Sequence, residues 1–169
     1  MTSLIALRIL HIVGGVFWVG ATLFVAGFLL PSVRAIGPAG GPLMRELTQV
    51  RKFPVYMLII PWLTAITGLL LAWRNSGGGF GWFAGPGRVF GVGAVLALLT
   101  AVMGMSINAP TAKRIGALAA SIASAGRPLL PEEQVQMHAL QARMTTATRT
   151  AALLLVLATI AMSIGRYVP

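Results

Sequence analysis

The sequence of 169 residues contains no cysteine and no aspartate. Without cysteine there is no disulfide, no thiolate metal site and no cysteine nucleophile. Its only acids are Glu46, Glu132 and Glu133, all in polar connections. That excludes carboxylate proton relays inside a bilayer, and carboxylate cages for hard cations. Charge of either sign is scarce, at 9% of residues, where soluble domains carry about a quarter. So few charges cannot solvate the surface of a soluble domain of this length. A soluble enzyme, a disordered tail and a collagen-like chain are all excluded.

What is abundant is apolar sequence. Hydrophobic residues make up 57% of the chain, and the mean hydropathy is +0.85. Runs long enough to cross a bilayer occur four times, at about 4–30, 54–73, 89–108 and 147–167. The expected fold class is all-α integral membrane, a single domain over 1–169 built as a four-transmembrane-helix bundle. The first run lacks the short apolar core and small-residue cleavage site of a signal peptide, so it reads as a retained helix.

The net charge of +10 would suggest nucleic acid in a soluble protein. Here the basic residues gather at the ends of apolar runs, which is a membrane-topology pattern, and no nucleic-acid partner is expected. Nine of the thirteen fall in the first and third connections: Arg34, Arg45, Arg51, Lys52, Lys113, Arg114, Arg127, Arg143 and Arg149. Arg8, Arg74, Arg88 and Arg166 lie on the other side. The positive-inside rule then places both termini outside a bacterial cytoplasmic membrane.

The connections carry their own signals. The second reads Gly77-Gly-Gly-Phe-Gly-Trp-Phe-Ala-Gly85, a flexible but aromatic interfacial loop. In the third, Ile115, Leu118, Ala119 and Ile122 recur at helical spacing. They predict a short amphipathic helix at the cytoplasmic surface, over about 111–125. Pro131-Glu132-Glu133 looks like a fresh helix start, so the fourth helix is expected to begin there, well before its apolar part. Pro61, inside the second run, predicts a kink.

A weak internal repeat runs through the chain. Pro31-Ser-Val-Arg-Ala-Ile-Gly37 matches Pro110-Thr-Ala-Lys-Arg-Ile-Gly116 at an offset of 79. At an offset of 92, Arg51, Thr67 and Arg74 fall on Arg143, Thr159 and Arg166. Two duplicated helical hairpins of the same orientation are one reading. Chance matches in apolar sequence are the other. Under the alignment His11 meets Phe90.

His11 is the only histidine within a run. Leu4, Arg8, His11, Gly15, Trp18 and Thr22 share one helical face. Intramembrane ionisable groups are costly and often functional. One reading makes His11 the axial ligand of a haem iron or chlorin magnesium, with Arg8 near a propionate. Met162, at comparable depth near Arg166, is then the candidate second ligand. The other reading has His11 hydrogen-bonded to a neighbouring helix, with Arg8 snorkelling to the headgroups. His138 lies near the far side of the bilayer and cannot share a metal with His11. Thr64, Thr67 and Gly68 read as close-packing and interhelical hydrogen-bonding residues.

Leu10-His-Ile-Val-Gly-Gly-Val-Phe-Trp-Val-Gly20 resembles the first helix of small four-helix bacterial membrane proteins. These include copper-resistance protein D-like domains and the membrane haem-dependent protoporphyrinogen oxidase, where a Leu-His pair is followed by Trp and Gly. The ending Met162-Ser-Ile-Gly-Arg-Tyr167 looks like the last helix of uncharacterised relatives. The resemblance implies that His11 ligates b-type haem.

Two functions follow from different classes. In the first, the chain is a non-catalytic accessory or structural subunit of a larger respiratory or photosynthetic membrane complex. Its partners are then lipids and other membrane subunits. In the second, it is a haem-b redox protein or tetrapyrrole oxidase that uses His11.

Overall fold

Each apolar run forms a helix; the first three extend past their runs at both ends, while the fourth starts well before its run, at Pro131, and stops at Ile164, short of the expected 167. The computed structural model describes residues 2–168. Helix α1 covers Thr2–Ile36, α2 Phe53–Asn75, α3 Arg88–Ala125 and α4 Pro131–Ile164. All four are long and apolar enough to cross a membrane, and no strand occurs among the described residues. This is the architecture of an all-α, multi-pass membrane protein. Helices answer the demand of a lipid interior, where every backbone polar group must be satisfied within its own segment.

Two prolines that ought to end helices do not. In a regular α-helix the Pro31 ring would press on the carbonyl of Gly27 and leave it without a donor, and Pro110 would do the same to Ser106. A π-turn precedes each proline. Val25–Leu29 is closed by the Leu30 N–H donating to the Val25 carbonyl, and Gly104–Asn108 by the Ala109 N–H donating to the Gly104 carbonyl. The wider turn shifts the carbonyls ahead of the ring, so the helix continues. The amphipathic segment therefore does not start afresh: Ala109–Ala125 prolongs α3 and packs on α4. The helix α2 likewise runs unbroken through buried Pro61.

The most extensive helix contacts are α1 with α2 and α3 with α4, and a smaller α1–α4 contact links the pairs. All four helices meet at Trp18. It packs in a cluster with Ala101 of α3 and Leu155 of α4, flanked by Met57 and Ile60 of α2. The buried stripe of α4 is Ala147, Thr148, Ala151, Ala152, Leu155, Ala158 and Ala161. Small residues at helical spacing let backbones approach closely, the main source of association where lipid is as apolar as the side chains. Some buried hydroxyls are absorbed locally. Thr22 donates to the Trp18 carbonyl at 2.8 Å and Thr100 to the Leu96 carbonyl at 2.9 Å. Each thus avoids the cost of an unpaired donor in an apolar setting.

The start of α4 is as the Pro131-Glu132-Glu133 pattern predicts, and the helix is unbroken for 34 residues. Glu133 accepts two bonds from the Arg127 guanidinium, at 2.8 and 2.9 Å, and one from the Leu130 N–H at 3.0 Å. The apolar part of α4 begins near Ala147, so this pair lies outside it. The Arg127 bonds first, and the Leu130 N–H second, lower the Glu133 carboxyl to about 2. The carboxylate stays charged across the neutral range and caps the helix.

The loop after α2 is packed rather than merely glycine-rich. Phe80–Ala84 forms a 3-10 turn, and the Trp82 ring stacks on Phe90 at 5.7 Å between centroids. Gly87 lies directly beneath Trp82, where any side chain would collide with the indole. Phe90 in turn covers Gly165, at the end of α4.

Candidate functional site

The face of α1 that carries His11 turns from solvent-exposed Arg8 to buried Trp18 and Thr22 over four turns. His11 stands between them, half-buried. Its Nδ1 lies 2.8 Å from the backbone carbonyl of Thr64 on α2. A carbonyl only accepts, so Nδ1 is the protonated nitrogen and donates. In the neutral ring, Nε2 then holds the free lone pair. The imidazole lies against Gly68, one turn on from Thr64. A Cβ at Gly68 would sit 2.6 Å from His11 Cε1 and 2.9 Å from Nδ1. Only glycine admits the ring there.

The surrounding hydroxyls complete the picture. Thr67 donates to the Leu63 carbonyl at 2.7 Å and also approaches the Thr64 carbonyl, at 3.1 Å. It therefore bonds within its own helix. The Thr64 hydroxyl oxygen is buried with no hydrogen-bond partner. It faces Gly14, where a Cβ would stand only 2.5 Å away. The hydrogen that glycine carries there points at this oxygen, the arrangement of a weak Cα–H···O contact between helices. Thr64, Thr67 and Gly68 are thus a close-packing set, as their types predict. The interhelical acceptor is a carbonyl, however, and not a hydroxyl.

The other residues read from sequence are dispersed. Arg8 is exposed. Arg74, at the end of α2, ties to the start of α1 by donating to Ser3 Oγ at 3.1 Å. Met162 lies in the other hairpin. A Cβ at Gly93 of α3 would meet its Cε and Cγ, each at 3.2 Å. Arg166 is exposed, its guanidinium 6.0 Å from the Tyr167 ring centroid. His11 and Met162 are each packed within their own hairpin.

A lone imidazole can supply a metal with at most one ligand. Metal-bound histidines usually donate their second ring nitrogen to a carbonyl or carboxylate, which fixes the ring and exposes the other lone pair. The Thr64 bond does this for His11. Among the described residues no group of three or more His, Cys, Asp or Glu is placed to hold a bare metal ion.

An apolar groove of about 280 Å³ lies between Ile9, Leu10, Val13, Gly14 and Phe17 of α1 and Ile60 and Leu63 of α2. A second cleft lies between the end of α1 and α4, with Arg34 and Arg149 in its wall. His11 lines neither. The pairing of Arg34 with Arg149 has no sequence signal, because it joins residues more than a hundred positions apart. No protein-family model matches the chain, and no curated protein or solved structure matches it.

Proposed function

We propose that this chain is a non-catalytic membrane subunit, built from two copies of one helical hairpin and held among other membrane proteins. The observation that carries it is the use made of His11. The one imidazole within the apolar runs locks α1 to α2, through a 2.8 Å bond to the Thr64 carbonyl and a ring seated on Gly68. Catalysis needs groups poised to move protons, electrons or charge. The buried polar residues among the described residues are threonines, and Thr22, Thr67 and Thr100 bond to their own backbones. Small residues for close helix contact are plentiful by comparison.

The hairpin duplication is supported by three coincidences at one offset. The π-turns Val25–Leu29 and Gly104–Asn108 lie 79 residues apart. So do the prolines that follow them, Pro31 and Pro110, and the closely packed glycines Gly14 and Gly93. At the offset of 92, Thr67 donates to the Leu63 carbonyl as Thr159 donates to that of Leu155. The two hairpins share an orientation, and the charge asymmetry puts both termini outside. Single cysteines at Ser76 and Ser121, probed with an impermeant thiol reagent on intact cells, are expected to label at Ser76 only. Labelling at Ser121 alone reverses the topology.

A second reading is favoured by the free Nε2. The Thr64 bond prepares His11 as an axial ligand to a tetrapyrrole metal, inside such a complex or alone. Gentle native purification with absorption spectroscopy and identification of co-purifying proteins separates the readings. For the subunit, partners co-purify, and His11→Ala leaves assembly changed by no more than about fivefold, because one hydrogen bond is worth about 1 kcal/mol. For the tetrapyrrole protein, the isolated chain carries a Soret band that His11→Ala abolishes. A wild-type chain that binds stoichiometric haem and turns over without partners sinks the subunit reading.

A further inference from the structure

Arg34 and Arg149 come from opposite ends of the sequence and line one cleft. Arg34 lies in the last turn of α1, and Arg149 lies where α4 changes from polar to apolar. Leu30, Pro31 and Ala35 of α1 and Thr145 of α4 complete the wall of a half-open cleft of about 270 Å³, at which both arginines are exposed. Neither arginine has an acidic partner. The ion pairs among the described residues are Arg51 with Glu46 and Arg127 with Glu133. The Thr145 hydroxyl donates to the Gln141 carbonyl at 2.9 Å, so it brings no countercharge. With two guanidinium groups in the wall of one cleft and no carboxylate paired with either among the described residues, an anion there is attracted by both.

We propose that this cleft holds the phosphate of an anionic phospholipid headgroup between Arg34 and Arg149. The guanidinium fork matches phosphate oxygens two at a time, which an ammonium cannot do. The depth fits a headgroup, since both arginines stand at the polar ends of apolar helix segments. Deeper along the same helices, Leu23 and Phe28 of α1 and Leu153 and Leu157 of α4 are exposed. They offer acyl chains a surface that a free phosphate ion would not use. Basic pockets between membrane helices are a known solution for anionic headgroups.

The test uses the full chain, purified in detergent and delipidated. Lipid binding is titrated by native mass spectrometry with phosphatidylglycerol, phosphatidylcholine or inorganic phosphate. Phosphatidylglycerol is expected to bind best. Each Arg→Gln change is expected to weaken it about fivefold, and R34Q/R149Q on the order of twenty-five-fold, from roughly 1 kcal/mol per basic residue. R45Q/R114Q removes the same charge from arginines outside the cleft, which are exposed as Arg34 and Arg149 are, and is expected to leave binding within twofold. Should R34Q/R149Q not fold, R34K/R149K keeps the charge but loses the fork, and is expected to bind more weakly than wild type. Equal weakening in R45Q/R114Q overturns the site in favour of a general charge effect. Equal binding of phosphatidylcholine overturns the selectivity for an anionic lipid. Full competition by inorganic phosphate at matched concentration overturns the lipid assignment and leaves a soluble-anion site.

Discussion

Trp18→Ala is expected to cost about 3 kcal/mol of stability, an effect larger than that of any exposed aromatic in the chain. Trp18 is 4% exposed and is where all four helices meet. In water, part of such a loss would be the hydrophobic transfer of the indole. Between membrane helices that part is small, because the alternative environment is lipid. What remains is the hole. The difference between the two side chains is roughly 140 Å³, and at about 24 cal/mol per Å³ of cavity this gives about 3 kcal/mol. The neighbours are Ala101, Leu155, Met57 and Ile60, and alanine on a helix cannot reach inward to fill space. Trp73→Ala is the comparison, since Trp73 is 52% exposed and its loss opens no cavity. Unfolding in mixed micelles, followed by circular dichroism, measures both. A Trp18→Ala variant within about 1 kcal/mol of wild type would falsify the claim that this cluster ties the hairpins together.

Much of the architecture was legible because it rests on local composition. Scarce acids and four apolar runs point to membrane helices, and Pro131 with two glutamates marks where α4 begins. The continuation of α1 and α3 through Pro31 and Pro110 was not legible. Proline reads as a stop unless the preceding carbonyls are displaced, and π-turns leave no signature in residue type. The site divides along the same line. His11 stands out as the one imidazole in an apolar run. Its acceptor does not, because a backbone carbonyl is present at every residue. Gly68 and Thr64 were readable as small packing residues, but which helix they would meet was not. The Arg34–Arg149 cleft is wholly tertiary. Arg8 was joined to His11 by a shared helical face, and Met162 and Arg166 by depth alone; Met162 packs at Gly93 in the other hairpin and Arg166 lies near the Tyr167 ring.

Gly93→Leu is expected to separate α3 from α4 and to cost about 3 kcal/mol, at the upper end of overpacking effects. A Cβ at Gly93 would stand 3.1 Å from the carbonyl oxygen of Ala158, and that oxygen belongs to the α4 backbone. A side chain can swing aside, but a helix backbone can only move as a body. Met162 also presses on the site, yet its thioether is flexible and can give way. Gly14, the counterpart 79 residues earlier, meets a different obstacle. The Cβ of Gly14→Ala would lie 2.5 Å from the Thr64 hydroxyl oxygen, which is a side-chain atom with no hydrogen bond to lose. Gly14→Ala is therefore expected to cost about 1–2 kcal/mol. Adding Thr64→Ala removes the obstacle and should restore most of that loss, a coupling characteristic of directly touching residues. Thr64→Ala should leave Gly93→Leu unrelieved, because the two glycines pack in different hairpins. Gly20 has nothing within 4 Å of its Cβ position. Gly20→Leu should thus be neutral or gain up to about 1 kcal/mol from helix propensity. If Gly20→Leu is as damaging as Gly93→Leu, the loss comes from the substitution in general and not from close approach of α3 to α4.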